Sequence, residues 1–84
     1  MTVGGGDLTL AEGMRRSGFL PEELWFEYVG LGGDAAQLEV EAYALGVLEP
    51  DAHQHNLIAQ ALNEHFFSRG QDHPVAYRDI RAEN

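Results

Sequence analysis

The stretch PDAHQHNLIAQALNEHFFSRG, residues 50–70, decides the fold. Leu57, Ile58, Ala61, Leu62 and Phe66 recur at spacings of three and four, the period of a helix with one buried side. Pro50 suits the first helical turn, where its missing N–H costs nothing. Gly70 suits the stop, where a left-handed residue is needed. The spacing therefore predicts a helix over 50–68. A helix of this length keeps its structure in water mainly by burying its apolar arc against other elements.

Working back toward the N-terminus, the sequence supplies those elements. Asp34 followed by Gln37 reads as a capping box and opens a helix over 35–48. This helix is apolar on two sides. Leu38, Ala42 and Leu45 form one stripe, read as the inner one, and Val40, Tyr43 and Val47 lie opposite. A helix of this kind is either central in its domain or shared with another chain. Before it, Pro21 marks the first position of a helix over 21–31, with Glu22 and Glu23 at its electropositive end. That helix carries Leu24, Trp25, Tyr28 and Leu31 on a broad face and ends at Gly30, Gly32 and Gly33. Thr9 and Glu12 form a further capping box, opening a helix over 10–17 that turns Leu10 and Met14 inward and stops at Gly18. The expected fold is all-α, a compact bundle of four helices over 10–17, 21–31, 35–48 and 50–68.

The flanks read differently. Residues 1–8 include three consecutive glycines and are expected to form a flexible lead. The helical domain then covers 9–70. Pro74 excludes a continuing helix, so 71–84 reads as an extended tail, partly docked. Val75 and Tyr77, two apart, point the same way in an extended segment, and Ile80 adds to them. The expected docking place is Phe67, which projects away from the Ile58–Leu62 stripe. Residues 81–84 are expected to stay mobile.

Composition narrows the function classes. The chain has 84 residues, room for one domain. No cysteine is present, which excludes disulfides, thiolate catalysis and thiolate zinc sites. Without disulfides or the basic and apolar parts of a signal peptide at its start, the chain is expected to be cytoplasmic. No apolar run is long enough to span a membrane. Fourteen acids face five arginines and no lysine, for a net charge of −9. This disfavours direct nucleic-acid binding, which depends on Lys and Arg displacing counterions. It points instead to a neutral or basic protein partner. Arginine without lysine, with abundant alanine and glycine, fits a GC-rich bacterial source.

No set of residues spells an active site. His53 and His55 beside Glu49 and Asp51 resemble metal ligands, but residues two apart on a helix point about 200° apart and cannot share an ion. Glu49–His53 and Asp51–His55 read instead as surface pairs four apart. No metal or cofactor is expected. His65 lies near the centre of the apolar arc, between Ile58 and Leu62. It reads as a core histidine bonded to a backbone carbonyl or a tyrosine, with a functional base or pH switch as the alternative. Gly30-Leu31-Gly32-Gly33 follows a helix and lacks a basic neighbour, unlike a phosphate loop. Arg15-Arg16 suits a helix C-terminus and is too small a patch for nucleic acid.

These readings point to a small acidic bacterial protein–protein interaction module, regulatory and non-enzymatic, acting through helical faces. Phe26 and Phe67, each opposite its helix's main stripe, and Val40, Tyr43 and Val47 on the third helix are the expected contact residues. The latter three suggest a homodimer through a two-fold contact. One alternative is a small enzyme or ligand-binding domain centred on His65. Another is an acidic mimic of nucleic acid.

Overall fold

A computed structural model describes residues 6–79 of the chain. It contains four helices, α1 (Leu10–Ser17), α2 (Pro21–Gly30), α3 (Gln37–Leu45) and α4 (Ala52–Ser68), and no multi-residue strand among the described residues. The fold is the expected all-α bundle. α3 and α4 each pack on both α1 and α2. Ile58, Ala59 and Leu62 of α4 are fully buried, with Leu24 and Tyr28 of α2 and Leu10 and Met14 of α1 in the same core.

The local signals explain most boundaries. At α1 the capping box forms in both directions: the Glu12 N–H donates to Thr9 Oγ1 at 3.1 Å and the Thr9 N–H donates to Glu12 Oε1 at 2.9 Å. Gly18 ends the helix at φ 75°, a left-handed conformation that glycine adopts without strain. Pro21 is in the first turn of α2. α4 begins later than expected because Asp51 is its cap, accepting from the Gln54 N–H at 2.8 Å. Pro50 therefore precedes the helix, and Asp51 is spent on capping rather than on His55.

α3 is shorter than expected at both ends. No side chain caps it, and its N-cap is Ala36 rather than Asp34. The preceding loop is held by α2 instead. The Trp25 indole Nε1–H donates to the Ala35 carbonyl at 3.0 Å, and the Ala35 N–H donates to the Tyr28 hydroxyl at 3.0 Å. Tyr28 in turn donates to Gln54 of α4. Gly33 lies against the Tyr28 ring so closely that a Cβ would sit 2.3 Å from it, so no larger residue fits. At the other end Gly46 turns left-handed at φ 82° and the Val47 N–H returns to the Ala42 carbonyl at 2.9 Å. Val47 and Leu48 thus lie beyond the helix.

The facing of α3 is the reverse of the expected one. Val40 and Ala44 are buried in the core and Tyr43 is half-buried, whereas Leu38 is 78% exposed and Leu45 is 55% exposed. Val40 thus leaves the set of surface contact residues. Of Val40, Tyr43 and Val47, the seam expected to pair two copies, Val47 alone is fully on the outside.

The tail docks, with Val75 in the core rather than over Phe67. Val75 is fully buried. Its N–H donates to Asn63 Oδ1 at 2.8 Å and its carbonyl accepts from Asn63 Nδ2 at 2.9 Å. Asn56 holds Arg78 in the same way, at 2.8 and 2.9 Å. The spacing has a simple cause. Seven helical residues rise about 10 Å and three extended residues span about 10 Å, so two asparagines two turns apart match tail residues three apart. Between them Tyr77 Oη donates to Gln60 Oε1 at 2.7 Å, and His55 Nε2 is 2.9 Å from the Ala76 carbonyl. On its other edge the tail pairs with the lead. The Gly6 N–H donates to the His73 carbonyl, the Leu8 N–H to Pro74 and the Ala76 N–H to Leu8. Gly6 to Leu8 are therefore tied to the tail rather than loose. Phe67 stays 62% exposed, with its ring centroid 5.5 Å from that of His73. Ile80 and the expected mobility of 81–84 fall outside the described residues.

Candidate functional site

The five expected contact residues do not form one surface. Val40 is in the core. Tyr43 lines a groove of about 310 Å³ beside Leu8, Leu48, His55 and Tyr77. Burial raises the Tyr43 phenol above its ordinary range, and Glu39 and Asp51 add to that shift. Val47 is exposed past the end of α3, and Phe67 is exposed near the C-terminal end of α4.

Phe26 is different, because it borders a cleft. About 550 Å³ of open space is lined by Phe19, Trp25, Phe26 and Gln37 together with Glu22, Glu23 and Glu27. Local structure explains the arrangement. The main face of α2 sends Leu24 and Tyr28 into the core, which leaves Phe26 pointing outward at 73% exposure. Trp25 is half-buried, and its bond to the Ala35 carbonyl holds the indole in place. The same bond brings the start of α3, with Gln37, to the cleft. Glu23 also accepts from the Leu20 N–H at 2.8 Å. Glu22 and Glu23 are explained by the helix start. Glu27, further along the helix, has no such explanation.

Charge and apolarity are segregated along the chain. Residues 17–52 contain eight acids and no Lys, Arg or His, while the remaining residues contain six acids and all five arginines. Almost the whole net charge therefore belongs to this segment. The same segment holds seven of the eight large apolar residues that are exposed among the described ones: Leu20, Phe26, Val29, Leu38, Leu45, Val47 and Leu48. The His73–Asp72 and Arg78–Glu49 ion pairs lie outside α2 and α3. A count of charge by segment would have shown this in the sequence. The approach of Gln37 to Phe26 would not have appeared there.

His65 has a structural task. Its Nε2 is 2.8 Å from the carbonyl of Ser17, the last residue of α1, and Arg69 Nη1 donates to the same oxygen at 2.9 Å. Donors at the negative end of a helix satisfy carbonyls that have no partner within it. The imidazole also lies on the Phe19 ring, with centroids 4.1 Å apart. The carbonyl partner is the kind the core reading named, but the ring is half-buried rather than in the core. His65 does border a depression of about 210 Å³ with Glu27, Glu64 and Ser68. The Ser68 hydroxyl, however, donates to the His65 carbonyl at 2.7 Å and makes no nucleophile–base pair with the ring.

His53 is exposed and His55 is turned to the tail, so the two do not converge. Among the described residues no three His, Asp or Glu side chains gather around a common point. No helix of the described residues is long and apolar enough to cross a membrane. No family model, no curated protein and no solved structure matches this chain.

Proposed function

We propose that the protein is a non-enzymatic interaction module that binds a partner protein through the α2–α3 side of the bundle. The observation that carries this reading is the exposed ring of Phe26, which with Phe19 and Trp25 lines an open cleft. A monomeric soluble domain scatters exposed apolar residues singly, whereas aromatic rings gathered at a concavity resemble the centre of an interface. The structural employment of His65 supports occupancy rather than turnover. A domain that works by occupancy alters what its partner does, which makes its role regulatory.

Site-specific photocrosslinking tests this. A photoreactive phenylalanine analogue in place of Phe26 is expected to trap a protein in the native lysate. The same analogue in place of exposed Arg15 of α1 is expected to trap none. Equal yields from both positions, or none from either, would sink the reading.

A further inference from the structure

The partner's chemistry follows from what surrounds the cleft. Three aromatic rings, Phe19, Trp25 and Phe26, line it, and three carboxylates, Glu22, Glu23 and Glu27, stand around it. The segment from Ser17 to Ala52 contains no basic residue, and His65 of α4 borders Glu27 in the neighbouring depression. Aromatic faces together with carboxylates favour one kind of group, a cation on an alkyl stem. Arginine and lysine fit that description, since their methylenes pack on apolar surface while their charged heads reach the acids.

We infer that the cleft takes a basic amphipathic segment of a partner protein, an apolar anchor seated against Trp25 and Phe26 with flanking Arg or Lys side chains on Glu22 and Glu27. This rests on the interaction-module reading and names its partner class. Charge decides between this occupant and a second copy of the chain. A two-fold contact through the same face sets one eightfold-acidic segment against another, and like charges in contact weaken association. A basic segment gains from the same charges.

The single tryptophan lies in the cleft, so its emission reports on the site directly. The full chain is titrated with a synthetic leucine–lysine amphipathic peptide of about 14 residues. A leucine–glutamate peptide of the same pattern serves as the control. The expected result is a saturable change in Trp25 emission with the cationic peptide only, weakening by about tenfold or more between about 50 and about 500 mM salt as the charges are screened. Phe26→Ala is expected to raise Kd by about tenfold, as removal of an aromatic anchor does. The Glu22→Gln, Glu27→Gln double variant is expected to raise Kd and flatten its salt dependence. An Asp7→Asn, Asp72→Asn variant, with the same charge change away from the cleft, is expected to leave Kd within about twofold.

Equal loss in the two double variants would overturn the proposal, because attraction would then be general. So would equal binding of the acidic peptide, or undiminished binding by folded Phe26→Ala. A dimer of the chain alone at about 100 μM, abolished by Phe26→Ala, would give the cleft to a second copy instead. Silence toward the cationic peptide, combined with a protein trapped from position 26, would overturn the cationic class alone and leave the interaction module standing.

Discussion

Asn63 offers the sharpest test of how the fold is held. It is fully buried on α4 and makes both of its bonds to one residue, donating to the Val75 carbonyl and accepting from the Val75 N–H. Asn63→Ala removes both partners at once and leaves two buried backbone groups unpaired. Each such group costs about 1–3 kcal/mol. The loss has a ceiling, because the tail can leave its place. Undocking exposes Val75, which is worth about 1.5–3 kcal/mol, and it returns conformational entropy of about 1 kcal/mol or more per released residue. The expected net loss is about 2–4 kcal/mol, a large share of the roughly 4–13 kcal/mol available to a domain of this length. At about 4–8 °C per kcal/mol, Tm falls by about 8–32 °C. Thermal unfolding followed by circular dichroism measures this, and amide exchange at Val75 locates it. Asn56→Ala, at a half-buried position where water can replace the side chain, is expected to cost only about 0.5–1.5 kcal/mol. A Tm for Asn63→Ala within about 2 °C of the parent, with the Val75 amide still protected, would show that the asparagine clamp does not hold the tail.

The reversed facing of α3 predicts that Val40→Ala costs about 1.5–3 kcal/mol in denaturant unfolding while Leu38→Ala changes stability by no more than about 0.5 kcal/mol; the opposite ranking would restore the expected orientation. Gly13→Ala raises helix propensity by about 1 kcal/mol, yet its Cβ would sit 2.6 Å from Val75 Cγ2. The stiff, buried valine has nowhere to move, so a lower Tm and faster amide exchange at Val75 are expected, and a higher Tm would refute the close fit. Hydrogen bonds from the Thr9 backbone and hydroxyl hold Glu12 below the ordinary glutamate range. Its folded pKa is depressed, so its contribution is fully present above about pH 4.3 and is lost as pH falls through the lowered folded value. Glu12→Gln is therefore expected to flatten the acid limb of a stability–pH profile, and an unchanged slope there would exclude the capping box as its source.

The sequence by itself determined where α1 starts and stops and where α2 starts. Thr9 with Glu12, Gly18 and Pro21 act through hydrogen bonds and dihedral limits that reach three or four residues, so neighbours along the chain carry the information. It also determined the main buried face of α4, whose stripe of Ile58, Leu62 and Phe66 admits one reading, and the acidic character of the α2–α3 segment. Tertiary structure decided what two-sided or long-range patterns leave open. α3 offers apolar residues all round, and the surfaces of α1, α2 and α4 chose Val40 and Ala44 over Leu38 and Leu45. The Asp34 cap gave way because Trp25 and Tyr28 hold Ala35 from α2. The tail bypassed Phe67 because exposed apolar area cannot match two asparagines that satisfy the backbone of Val75 and Arg78. The register of that pairing joins residues twelve and twenty-two positions apart. The cleft likewise exists because Gln37 of α3 is brought to Phe26 of α2. Such contacts depend on how the packed helices lie against one another, and no local periodicity encodes that geometry.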